Sequence, residues 1–368
     1  MTGTPDPLLT VVADDLTGAC DTGTLFSGKS PVPVTVWPRA PRPAPVRVVD
    51  TESRTLPAVE AAHRVAEVPT RAPAPRFFKK IDSTLRGRVG AEVDALMRAA
   101  RAASAVLTPA FPALGRTVVD RLLLVDGVPV TETPLARDPD FPAADSASVV
   151  DLLRPDLHRA LAWVPLGEVR AGGEALGARL ERLRGTVVVA DAETDADLLA
   201  LVDAALAVEP APLLVGSAGL AGALAARLGL LAGAVTPPRG RRWLVVAGSR
   251  HPATRRQVET CRAAGLAVLA APEREEPDRS GVAARLAAEA RRRLDEGAFD
   301  LLVVTGGQTA VAVLAALDAE GLDLVGAPAT GLALGSLRGG RHGGLPVVTK
   351  AGGFGDPDLI VRLWETSQ

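Results

Sequence analysis

Short apolar runs with no helical stripe alternate along the chain with longer Ala-, Leu- and Arg-rich stretches. Runs of that length, closed by Gly, Pro, Asp or Ser, read as buried strands, and the longer stretches as the helices between them. Strands are predicted at Leu8–Ala13, Val32–Trp37, Val46–Asp50, Arg76–Lys80, Ala105–Thr108, Thr186–Ala190 and Pro212–Val215. A second series follows at Trp243–Ala247, Leu266–Ala270, Asp300–Val304 and Pro346–Thr349. Alternation of this kind predicts an α/β fold in two domains, each a mostly parallel sheet flanked by helices. Between the series, "GAVTPPRGRR" (Gly233–Arg242) carries two prolines and no periodicity. It reads as a linker, giving domains 1–232 and 243–368.

The first strand raises a question of charge. In "LTVVADDLTGACDTG" (Leu9–Gly23) the apolar run ends on Asp14 and Asp15. Open α/β sheets bind ligands at the carboxyl ends of their strands. Two like charges there serve no packing purpose, since each raises the other's pKa. They are candidate catalytic groups, and the plain alternative is a helix cap at Asp15 or Thr17. A second cluster lies in "FFKKIDSTLRGRVGAEVDALM" (Phe77–Met97), where Lys79, Lys80, Asp82, Ser83, Thr84 and Arg86 sit between a strand and a helix. Cations, hydroxyls and a carboxylate so close together suit an anionic polyol, lysine as a point charge and arginine as a two-pronged donor. "DTESR" (Asp50–Arg54) adds Arg54 at another strand end.

The second half repeats one device three times. "LVVAGSRHPATRRQ" puts Gly248 and Ser249 after a strand. "LLVVTGGQTAVAVL" puts Gly306, Gly307, Gln308 and Thr309 between strand and helix, and "PVVTKAGGFGDPDLI" puts Lys350, Gly352, Gly353 and Gly355 after the last strand. Bare amides at helix starts bind phosphate without a basic surface, so a phosphate-rich ligand is expected. A side chain at Gly307 is expected to block that approach. The string "GTLFSGKS" (Gly23–Ser30) satisfies the P-loop spacing, yet its first glycine falls within a helix and its Lys-Ser runs into a strand. That is the reverse of the required context, and the match is a coincidence. "GSAGLAG" (Gly216–Gly222) lacks the spacing of a dinucleotide fingerprint, which disfavours a nicotinamide enzyme.

Composition narrows the partners. The chain has 368 residues, 47% of them hydrophobic, and a formal net charge of −2, with Lys and Arg scattered. Nothing points to a nucleic-acid or membrane surface, and an aromatic content of 3% leaves little for base stacking. The four His have no structural-metal spacing, so a metal site is unknown from sequence. Two cysteines and no leader-like start fit a cytoplasmic protein.

The ordered set "ADDLTGACDTG", "KKIDSTLRG", "PAFPALGRTVVDRLLLVDGVPV", "GSAGLA", "AGSRHPATRRQ", "TGGQTA" and "KAGGFGD" spans Ala13 to Asp356. It resembles the four-carbon acid sugar kinase family, whose members phosphorylate threonate, erythronate or 3-oxo-tetronate at the terminal (C4) hydroxyl. The resemblance implies an acid-sugar domain followed by a nucleotide domain, with the active site in the cleft between them, and ATP with Mg2+. It implies sugar contacts from Asp14 or Asp15, Arg54, Lys80, Asp82, Ser83 and Thr84, with Arg54 and Lys80 on the substrate's carboxylate. ATP contacts are implied from Ser249, Gly306 through Thr309 (Gly307 and Gln308 included) and Gly352. Asp14, Asp15 or Asp82 would take the hydroxyl's proton, and a homodimer is compatible with the pattern. This chain has Gly-Gly-Gln-Thr where the family usually has Gly-Gly-Asp-Thr. A sensor that binds acid sugar and nucleotide without turnover is the alternative reading.

Overall fold

A computed structural model describes residues 6–137, 146–272 and 278–368. In chain order the first strands are β1 (Leu9–Ala13), β2 (Val32–Val36), β3 (Val46–Asp50), β4 (Phe77–Lys80) and β5 (Ala105–Thr108). A small hairpin sheet follows as β6 (Arg116–Val119), β7 (Leu122–Val125) and β8 (Val128–Pro129), and then β9 (Leu161–Val164), β10 (Val187–Ala190) and β11 (Leu213–Gly216). The later strands are β12 (Trp243–Ala247), β13 (Ala267–Ala270), β14 (Leu301–Thr305), β15 (Gly321–Gly326), β16 (Leu332–Arg338) and β17 (Pro346–Lys350).

The chain divides into two compact units. The first holds the described residues of Met1–Thr22 and Ala40–Leu231, and the second holds Gly23–Arg39 and Ala232–Gln368. In the first unit the strands run β3-β1-β4-β11-β5-β10-β9, all parallel. Of these, β5, β10 and β11 are buried on both faces, which is why they read as almost wholly apolar runs.

The second unit is mixed. β13-β12-β14-β17 are parallel, and β16, β15 and β2 extend the sheet antiparallel. Its core includes Trp243, Val245, Val303, Val348 and Ile360. The segment Gly23–Arg39, placed in the first domain by the sequence reading, belongs here because β2 pairs with β15, Val34 opposite Leu322. The P-loop lookalike lies at this join. Its first residues end the helix Leu16–Leu25, and Lys29 and Ser30 are exposed just before β2, with no helix to open.

Strand order locates the crevices. From β1 the first sheet grows to β3 on one side and β4 on the other, and from β12 the second grows to β13 and β14. Each reversal leaves a gap at the carboxyl ends of neighbouring strands, the place where open α/β sheets take ligands. Asp14, Asp15 and Lys80 stand at the first gap, and Gly248 and Gly306 at the second. Among the described residues no helix is long and apolar enough to cross a membrane.

Candidate active site

The cluster in the first unit is built by chain doubling back over β1. The Thr51 amide and hydroxyl both donate to the Ala13 carbonyl, at 2.9 and 2.8 Å. Glu52 takes a left-handed backbone (φ 46), and the amides of Ser53 and Arg54 then donate to the Asp14 carbonyl at 3.0 and 3.1 Å. Those bonds set Arg54 directly above the two aspartates.

Arg54 uses its fork on protein, not on open space. Its Nε and Nη2 reach the two oxygens of Asp14 at 2.8 and 2.9 Å, and Nη2 also reaches Asp15 Oδ1 at 2.5 Å. Nη1 lies 3.8 Å from Asp82 Oδ1. Burial alone would raise Asp14's pKa, but Arg54, and more weakly Lys79 and Lys80, bring it below the usual range. Asp82 is bound by Arg86 through two contacts of 2.9 and 2.8 Å and also accepts the Thr84 hydroxyl. Burial works upward there too; Arg86 first and Arg54 second outweigh it and hold Asp82 well below the carboxylate range. Asp14 and Asp82 are thus fixed anions and poor proton acceptors. Asp15 is the more open carboxylate, its side chain 13% exposed against 2% for Asp14. It accepts the Gly18 amide at 3.1 Å and the Thr17 hydroxyl, so the capping role weighed from sequence is real and coexists with the Arg54 contact.

Adjacent strand residues face opposite ways, and the two lysines divide accordingly. Lys79 is sealed beneath the helix Val89–Ala99 against Glu92 at 2.8 Å, with the Ser53 hydroxyl on the same carboxylate at 2.6 Å. Lys80 turns to the Asp15 side, where its Nζ donates to the Ile81 carbonyl at 2.9 Å. A Cβ on Gly18 would lie 2.8 Å from that Nζ and 2.5 Å from Asp15 Oδ1, so only glycine leaves room for both. Ser83 is half-buried in the turn beyond. The structure therefore gathers Asp14, Asp15, Arg54, Lys80, Asp82, Ser83 and Thr84 at one sheet edge. Glu92, in the first turn of that helix, gave no sequence signal, and Arg86 was visible only as one more cation in the turn.

Buried acids back this cluster. Burial first, then the charge of Glu52, pushes the Asp50 carboxyl well above the usual range; burial also raises Glu52 and Asp21. A carboxyl held protonated in the fold loses stability relative to the ionised unfolded chain as pH rises past its ordinary value. Asp50→Asn removes that titration while keeping the shape. The substitution is expected to raise the melting temperature by a few degrees at about pH 8 and by less at about pH 5. Thermal melts at both values check it, and an equal shift at both would mean that Asp50 carries no proton.

The cluster in the second unit is three level strand ends. Ala247, Thr305 and Lys350 share one row of the sheet. The Gly248 amide donates to the Thr305 carbonyl at 3.1 Å, and the Gly306 amide to the Lys350 carbonyl at 3.2 Å. A Cβ on Gly248 would collide with Thr309 Oγ1, and one on Gly352 with Ser249 Oγ. The two helices that start here differ. His251 Nδ1 accepts the Ala253 amide at 3.2 Å at the head of Pro252–Ala263, so that end is capped. Gly307–Ala316 has no side-chain cap and no acidic residue in its first turn. Its amides at Gly307, Gln308 and Thr309 have no intrahelical partner, a chemistry that suits an anion, and the exposed, neutral Gln308 adds no repulsion there. Ser249, Gly306 through Thr309 and Gly352 are thus brought together. These donors fit a phosphate chain. They offer no carboxylate for a metal, and among the described residues no group of three or more His, Cys, Asp or Glu is arranged to hold one.

The glycine under backbone constraint is Gly306 (φ 96) and not Gly307, which begins the helix. Gly306→Val is accordingly expected to weaken ADP binding at least about tenfold, because strain of ~1–3 kcal/mol falls on the turn itself. Calorimetry with ADP measures this; Gly307→Ala, at an ordinary helical position, should bind ADP within about twofold.

A model of a sugar-binding N-terminal domain matches residues 9–224, and a model of a nucleotide-binding C-terminal domain matches residues 266–360. A D-threonate kinase of Bordetella bronchiseptica is 37% identical, over 97% of this chain and 96% of its own. A D-erythronate kinase of Heliobacterium modesticaldum is 30% identical, over 95% and 94% respectively. A crystal structure from Salmonella typhimurium LT2 has the same fold at 22% identity, with a TM-score of 0.83 and coverage of 98% of this chain and 99% of that one.

Proposed function

The chain belongs to the four-carbon acid sugar kinase family, and from that premise we propose that it transfers the γ-phosphate of ATP to the C4 hydroxyl of a tetronate such as threonate, erythronate or a 3-oxo-tetronate. It is a phosphotransferase acting on a sugar-acid hydroxyl, and membership in a family of kinases removes the sensor reading. The observation that carries the finer proposal is the contrast between the two sheet edges. One presents a partly open carboxylate and a lysine, suited to a hydroxyl and an acid group. The other presents uncapped amides, suited to phosphate.

In the proposed reaction the C4 oxygen forms a bond to the γ-phosphorus as the bond from phosphorus to the β–γ bridging oxygen breaks. The electron pair leaves on ADP, and the hydroxyl's proton passes to Asp15. Transfer of this kind needs chiefly alignment and charge neutralisation. Arg54 keeps Asp14 and Asp82 fixed and orients Asp15. Lys80 offers its ammonium to the substrate's carboxylate, and Ser83 offers a hydroxyl. The amides of Gly307, Gln308 and Thr309 hold phosphate oxygens. Magnesium, when bound with the nucleotide, would supply further charge neutralisation.

ADP release, followed with ATP and magnesium over both threonate enantiomers, D-erythronate and a 3-oxo-tetronate, tests the reading. Phosphorus NMR of the product reports which oxygen was phosphorylated. Release stimulated by none of these acids, or phosphate on C2 or C3, would count against it.

A further inference from the structure

The glycine-rich loop after β17 is gripped from one side. Lys350, buried with no side-chain exposure, donates through Nζ to the carbonyls of Ala351, Gly352 and Phe354 at 2.7, 3.2 and 2.9 Å. Gln257, equally buried on the helix Pro252–Ala263, donates through Nε2 to the carbonyls of Phe354, Gly355 and Asp356 at 2.9, 3.1 and 3.0 Å. Thr254, three residues earlier and on the same helix face, donates its hydroxyl to the Gly352 carbonyl at 2.5 Å. Nothing in packing calls for this. Burying an ammonium is costly, and among the described residues no carboxylate pairs with Lys350; burial lowers its pKa to about 8. An apolar side chain would fill the space more cheaply. What the lysine supplies is the orientation of a set of peptide groups.

That orientation has a consequence on the opposite side. In a trans peptide the N–H points away from the C=O of the same unit. The carbonyls of Ala351, Gly352, Phe354 and Gly355 are drawn toward Lys350, Thr254 and Gln257. The amides of Gly352, Gly353, Gly355 and Asp356 are therefore turned the other way. The loop also sits against the β12 turn: a Cβ on Gly352 would strike Ser249 Oγ, and one on Gly353 would lie 3.4 Å from His251 Nε2. Successive amides turned to one side make an anion-binding concavity.

We propose that Lys350, Gln257 and Thr254 are positioning residues for the nucleotide, holding the carbonyls of the 351–356 loop inward so that its amides face the phosphate chain. The proposal rests on the kinase reading and names what organises the donor side of it. It gives the "RQ" end of "AGSRHPATRRQ" and the lysine of "KAGGFGD" a task that no direct substrate contact requires.

Lys350→Met, Gln257→Leu and Thr254→Val test it by steady-state kinetics and ADP calorimetry. Losing a hydrogen bond from a charged donor should raise KM for ATP about ten- to hundredfold in Lys350→Met, and loss of the neutral donors about three- to tenfold. KM for the sugar acid should stay within about twofold, and ADP affinity should fall in parallel while adenosine affinity does not. A purely structural role would move both KM values together or lower only the active fraction. If Lys350→Met does not fold, as judged by its melt, the two milder variants decide. Folded variants with unchanged ADP affinity, or with both KM values raised alike, overturn the proposal. Wild-type protein that binds no ADP overturns the kinase reading and this proposal with it.

Discussion

Arg54→Ala is expected to lower kcat/KM by about 10²–10⁴ and to lower the melting temperature together with it, because breaking one partner of a buried charge cluster typically costs ~3–5 kcal/mol. The reason is the company that Arg54 keeps. It holds Asp14 by two hydrogen bonds, Asp15 by a third, and lies 3.8 Å from Asp82. Burial works against its charge, yet the three aspartates raise its pKa well above the arginine value. Without it, Asp14 is a buried carboxylate whose main compensation is gone, and Asp15 loses the contact that aims it. A residue whose task were only to bind the substrate's acid group would behave differently. Its loss would appear in KM, by about ten- to hundredfold, with kcat and stability spared. Arg54→Lys should rescue little, since an ammonium cannot span both oxygens of Asp14 while also reaching Asp15. Kinetics with parallel melts separate the cases. A variant with normal kcat and normal melting would return Arg54 to the role expected from sequence, a direct grip on the sugar acid.

How far the sequence could be read follows from which interactions are local. β1, β5 and β12 lie between parallel neighbours, so their runs are almost wholly apolar and their limits were legible to within a residue. β15 (GLDLVG) and β16 (LALGSLR) were missed because they carry glycine and polar residues inside the strand. The β6–β8 hairpin lies within the motif Pro109–Val130, where Asp126-Gly127 between β7 and β8 is a hairpin signal that the apolar-run pattern does not capture. The assignment of β2 lay beyond local pattern altogether. Its strand character is plain, but its pairing with β15 joins residues nearly three hundred apart, Val34 with Leu322. The same limit applies at the site. Asp14, Arg54 and Asp82 were each legible as residues at strand ends, whereas their mutual contacts depend on β3 and β4 flanking β1. The sequence reading assigns Arg54 to the substrate's carboxylate, whereas in the fold its guanidinium lies on Asp14 and Asp15.

Asp15→Asn is expected to lower kcat by about 10²–10⁴ with KM for the sugar acid little changed, the usual cost of losing a general base. The three aspartates at this edge differ in their availability to a proton. Asp14 has both oxygens on Arg54, and Asp82 has both on Arg86; each is held as an anion below the ordinary pKa and gains little by taking a proton. Asp15 alone combines partial exposure with a place beside Lys80, where the substrate's carboxylate is proposed to anchor. Asparagine keeps the oxygen that caps Gly18 and faces Arg54, so the fold should survive and the loss should be chemical. Asp14→Asn is expected to fail differently, because an amide NH2 would be set against the guanidinium that now holds the carboxylate, lowering the melting temperature as well as the rate. Asp82→Asn should do the same to the turn that Arg86 and Thr84 tie down. The three variants thus form a pattern: one folded and slow, two destabilised. Should Asp15→Asn turn over at near wild-type kcat while Asp82→Asn melts normally and is slow, the proton goes to Asp82. The Arg86 contact would then have to open during turnover, and loosening it by Arg86→Lys would be expected to raise the apparent pKa of the acid limb.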